Sequence, residues 1–105
     1  MTLDPEDSKL ITLARASRAR SGSAEGAAVR DETGRTYSAT NVALTSLTLS
    51  AVQVAAAMAI SSGARSLEAV ALVSEDAPSA ADEAVAAELG VKSLLVAGPD
   101  GTVRG

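Results

Sequence analysis

With no His and no Cys among its 105 residues, this chain has hydroxyls, carboxylates, amides and amines for chemistry, and Ser50, Ser79, Asp82 and Asn41 are the candidates. That removes the imidazole base, the thiol nucleophile, the disulfide and any His/Cys metal site. Ser50 as a nucleophile would need a Lys or a carboxylate as its base. Asp82 as a magnesium ligand would need company from Glu75 or Asp76. Each has a plainer reading. A helical Ser50 bonds back to the preceding turn. Ser79 followed three positions later by Asp82 forms an acidic capping box, with Asp82, Glu83 and Glu88 turned to solvent. Asn41, just after a strand, either holds a sugar-type hydroxyl or satisfies backbone groups at the strand end.

The elements that would position these residues follow from pattern. Asp4-Pro5-Glu6-Asp7 reads as a helix start with an N-cap, a proline in the first turn and acids at the positive end. Its apolar stripe at Leu10, Ile11 and Ala14 fades at Ser17, and Ser21-Gly22-Ser23 ends it. Residues 26–30 and 35–40, flanking Asp31-Glu32-Thr33-Gly34, predict a hairpin. A Ser/Thr-rich connection leads into a helix from Leu47 or Thr48 to Ser62, stopped by Gly63 and apolar nearly all round, which predicts burial on several faces. Residues 67–73 read as a buried strand, 79–89 as a helix ended by Gly90, and 91–96 as a further strand. Gly98-Pro99-Asp100-Gly101 turns into a last short strand at Thr102-Val103. Strands joined through helices predict a mixed, mostly parallel, layered sheet.

Composition narrows the function. The length implies one domain over residues 1–105. With no Phe, no Trp and Tyr37 as the single tyrosine, the core must be Ala, Val and Leu, and small side chains bury little area each. Stability then calls for close helix–sheet contact or a partner subunit. A net charge of −4, with no basic stripe and nothing aromatic to stack on bases, argues against nucleic acid. Met1 to Asp7 lacks the apolar core of a signal peptide, so the cytoplasm is expected. Residues 42–60 are long enough and uncharged enough to raise a membrane span, but Thr45, Ser46, Thr48, Ser50 and Gln53 interrupt them. A buried helix is the better explanation, and no membrane partner is expected.

These residues, in this order, resemble the small zinc-dependent cytidine deaminases over nearly the whole chain. Gly26-Ala27-Ala28-Val29 and Thr33-Gly34-Arg35 are similar to that family's opening hairpin, and Asn41-Val42 to its nucleoside-binding segment. Residues 47–63 align without a gap with its Leu-Thr-x-Cys-Ala-Glu-Arg helix, keeping Leu47, Thr48, Ala51 and Gly63. Val73-Ser74, Pro78, Val85, Glu88 and Gly90 fit the loop and helix that carry its Pro-Cys-Gly-x-Cys motif, and Asp100-Gly101 fits its last turn. The resemblance implies a three-layer α/β/α sandwich with a mixed sheet. It also places the three zinc-ligand positions on Ser50, Ser79 and Asp82, and the proton-shuttling glutamate on Val52. Neutral serines grip zinc poorly, and a valine moves no proton. The ribose carboxylate becomes Ala43 and the pocket aromatic gives way to Ser23-Ala24-Glu25, leaving Asn41 alone of the nucleoside contacts. The resemblance therefore implies a degenerate member with no catalytic residue, no metal and no cofactor. Its expected role is structural or protein-interacting, as a homo-oligomer, a dimer or tetramer built on the charge-free helix. Two other functions stay open: a nucleoside or small-ligand module that uses Asn41 without deamination, and an enzyme with unrelated chemistry at Ser50 and Asp82.

Overall fold

The computed structural model describes residues 4–104. Met1 to Leu3, part of the stretch tested as a signal peptide, and Gly105 lie outside the described residues. The elements run α1 (Pro5–Ser21), β1 (Gly26–Asp31), β2 (Thr36–Thr40), β3 (Val42–Ala43), β4 (Thr48–Leu49), α2 (Ala51–Ser61), β5 (Leu67–Val73), α3 (Ala80–Glu88) and β6 (Ser93–Ala97).

The main sheet has the order β2-β1-β5-β6. β1 is antiparallel to both β2 and β5, and β5–β6 is the one parallel pair among the described strands. The sheet is mixed as expected, but not mostly parallel. The crossover rule still holds: α2 joins β2 to β5, which run the same way, and α3 joins β5 to β6. β1 lies between β2 and β5, so two neighbouring pairs become antiparallel.

Both faces of the sheet are covered, which gives three layers. β1 and β5 alternate, sending Ala28, Ala69, Ala71 and Val73 to α1, and Val29, Val70 and Leu72 to α2. A register shift at Arg30/Asp31 lets Leu67 join the α2 face. α1 meets the sheet with Leu10, Ile11 and Ala14, and its buried stripe runs one turn further than its apolar residues, through Ser17. Gly26 shows how closely α1 lies on the sheet: a Cβ there would come within 2.0 Å of the Ala14 carbonyl oxygen. Tyr37 is partly buried and packs on the α2 side only.

α2 differs from expectation in two ways. It begins at Ala51, because Ser50 caps it in a capping box with Gln53, while Leu47 and Thr48 stay outside the helix. Thr48–Leu49 pairs instead with Val42–Ala43 in a two-stranded ribbon. The helix is also buried on one side only, through Ala51, Val52, Ala55, Ala56 and Ala59. Met58 and Ile60, on the two flanks of that side, are exposed. The last strand reduces to a single antiparallel bridge between Ala97 and Val103.

No helix among the described residues is long and apolar enough to cross a membrane.

Candidate functional site

The starts of α2 and α3 meet at the end of the sheet, and they bring three of the sequence-singled residues together. Ser50 is the N-cap of α2 and Ser79 the N-cap of α3. Both adopt extended backbone and place a hydroxyl over the first free N–H groups of their helices. The Ser50 Oγ accepts from the Gln53 N–H at 3.1 Å, and the Gln53 Oε1 accepts from the Ser50 N–H at 2.9 Å. The Ser79 Oγ accepts from the Asp82 N–H at 3.1 Å, and the Asp82 Oδ2 accepts from the Ser79 N–H at 3.3 Å.

One bond joins the two boxes. The Ser50 hydroxyl donates to the Asp82 Oδ1 at 2.5 Å. Asp82 is therefore not turned to solvent, as its neighbours Glu83 and Glu88 are. It is wholly buried. At the third helical position its carboxylate reaches back over the helix start, and that start faces Ser50 rather than water. Helix N-terminal donors and a hydroxyl replace the hydration it loses. Glu75 and Asp76 are exposed and make no cluster with it. Among the described residues no three His, Cys, Asp or Glu side chains gather as a metal-ligand group.

Val52 is fully buried in the core cluster that includes Ala27, Val70 and Leu72. Asn41 is half-buried, and its Oδ1 accepts from the Glu25 N–H at 3.1 Å. Glu25 in turn sends Oε1 to the Ala51 N–H at 3.0 Å. An anion approaching the start of α2 would find Ala51 and Gln53 already supplied by the protein's own oxygens.

Sequence reasoning did not assign roles to Glu25, Gln53 or Arg104. Gln53 had a signal, since Ser-x-x-Gln is a capping box, as Ser-x-x-Asp is. Glu25 had none beyond its place just before β1. Arg104 had none at all: its guanidinium donates to the carbonyls of Ser74, Glu75 and Asp76, at 2.6, 2.9 and 3.2 Å, and pins the loop that leads to α3. Two open grooves flank α3. One, of 490 Å³, is lined by Gln53, Ala56, Val85 and Leu89 among others; the other, of 480 Å³, by Pro78, Glu83, Leu94 and Arg104 among others. Neither is lined by Ser50, Ser79 or Asp82.

The comparisons agree with this architecture. The family model described as cytidine deaminase-like matches residues 3–101. The crystal structure of cytidine deaminase from Burkholderia pseudomallei superposes with a TM-score of 0.77 at 31% identity, covering 91% of this chain and 87% of that one. Cytidine deaminase from Mycobacterium tuberculosis gives 0.74 at 28% identity, with 96% and 90% covered. That from Mycobacterium leprae gives 0.73 at 24%, with 96% and 93% covered, and speaks to the fold alone. Comparison with curated proteins returns no match. The chain belongs to the cytidine deaminase-like family.

The zinc of the deaminases that the sequence resembles does not suit the donors present. Two serine hydroxyls and one carboxylate, all already bonded to one another or to backbone, are a weak and preoccupied set.

Proposed function

We propose that this chain is a non-catalytic member of its family, a single-domain cytoplasmic protein whose role is structural or protein-interacting. One observation carries the reading: the Ser50 hydroxyl, the residue best placed to act, has both hydrogen-bonding roles taken, donating to Asp82 and accepting from Gln53. No imidazole is at hand to take its proton, and the carboxylate that receives its hydrogen bond, Asp82, is wholly buried and lines neither groove beside α3. Val52 packs in the core where a proton carrier would be needed. Asn41 is a clip that ties Glu25 to the β2 end, and Glu25 then completes the cap of α2.

The same reading makes the protein a homo-oligomer, a dimer or tetramer. α2 exposes Met58 and Ile60 on the two flanks of its buried stripe, and the ribbon before it exposes Leu44 and Leu47, in a stretch of sequence with no charge between Arg35 and Arg65. Exposed apolar residues of this kind are what a subunit contact buries.

The test is an assay for ammonia release from cytidine on purified protein, with elemental analysis for zinc. The expected result is no turnover and no stoichiometric zinc. Activity lost on Asp82→Asn would overturn the reading, and so would zinc bound one to one. A thermal-shift screen of nucleosides covers the ligand-binding alternative, which requires a shift that Asn41→Ala abolishes.

A further inference from the structure

α3 is the most lightly attached helix of the three. It covers nine residues, of which Asp82 and Ala86 are the buried ones. Val85 and, just past its end, Leu89 are only partly buried against the α2 core. Its two ends are held differently. At the C-terminal end the backbone does the work: the Leu67 N–H at the start of β5 donates to the Leu89 carbonyl at 3.0 Å. At the N-terminal end, among the described residues, the side-chain hydrogen bond from α3 to another element is the one between Asp82 and Ser50. The loop before it is fixed separately by Arg104.

We propose that the Ser50–Asp82 pair is a latch, and that α3 is a flap that swings about its Leu89–Leu67 end when the latch opens. The inference rests on reading the Ser50–Ser79–Asp82 cluster as structural. Asp82 regains water when it leaves the interface, and Ser50 is already half-exposed, so neither group is stranded. The opened helix keeps its own cap, because Ser79 and Asp82 bond each other within α3. Few buried apolar contacts have to break. A segment with these properties opens locally, well below the free energy of global unfolding.

Amide hydrogen exchange on the intact protein tests this. Asp82→Ala removes the latch together with its own half of the α3 capping box; Ser79→Ala removes the other half of that box and leaves the Ser50–Asp82 bond. With Asp82→Ala the α3 amides are expected to exchange about tenfold faster or more, the loss of the Ser50 bond to its carboxylate being the part that Ser79→Ala does not share. The amides of α1 and β5 are expected to stay within about twofold, because a local opening does not involve them. Ser79→Ala should change α3 by less than Asp82→Ala does. Unchanged exchange in α3, an equal rise in every element, or a Ser79→Ala effect as large as that of Asp82→Ala would each overturn the latch. If Asp82→Ala does not fold, Ser50→Ala is read the same way, on α3 against β5. Exchange reports the latch alone, whereas ammonia release from cytidine reports the functional reading alone.

Discussion

A carboxylate as deeply buried as that of Asp82 survives only where donors replace water, and here a hydroxyl and a helix start do so. Its neighbour Ser79 is exposed and does one job, so Ser79→Ala should cost about 1 kcal/mol, read from denaturant titration. Val52 is the harder position. Introducing a carboxylate with Val52→Glu puts an uncompensated charge into a dry cluster and should destabilise by about 3 kcal/mol or more, with no gain of deaminase activity. Asp31 gives the acid response. The Thr33 hydroxyl, with the backbone N–H groups of Thr33 and Arg35, stabilises its charged form and lowers its pKa from the ordinary aspartate value. A lowered folded-state pKa means stability that is present above the ordinary value and lost as pH falls through the lowered one. Melting temperature should therefore drop on acidification through that window, and Asp31→Asn should flatten that part of the curve.

At the scale of elements, the long regular pieces were readable and the short ones were not. β5 matches its sequence range end to end, because its continuous apolar run between turn signals had one interpretation. The hairpin of β1 and β2 was equally plain from its turn. The start of α2 is hard to read because the Ser/Thr-rich connection runs into the helix without a Gly or Pro, and the Ser50/Gln53 pairing marks the true boundary. β3 and β4, two residues each, are too short to show any period. Ser17 looked like the end of the α1 stripe, yet a small hydroxyl fits where α1 lies close to the sheet. Asp82 was assigned to solvent because charge usually is; its partner on another helix left no local trace in the sequence. Gly26 carries the strongest element-scale prediction. Gly26→Ala would drive a methyl into the Ala14 carbonyl, lift α1 from β1, and cost about 1–3 kcal/mol by chemical denaturation.

Across the whole molecule, small side chains set the plan. Ala14, Ala28, Ala69, Ala71 and Ala97 fill much of the α1 side, so that side is close but thin. In the proposed oligomer, the exposed apolar residues of α2 and of the ribbon before it would add a second place to bury surface. Light scattering on the eluting protein should give a dimer or tetramer mass. Met58→Glu with Ile60→Lys should shift it toward monomer, and a wild-type monomer at micromolar concentration would count against the proposal. The single tyrosine has a practical consequence. Tyr37 touches only the α2 side, so near-ultraviolet emission and circular dichroism watch half of the sandwich and are blind to α1. A melt followed optically there and a melt followed by far-ultraviolet signal from all the helices would coincide only if both halves come apart together. Placing a tryptophan on the exposed flank of α1 would give the silent half its own reporter.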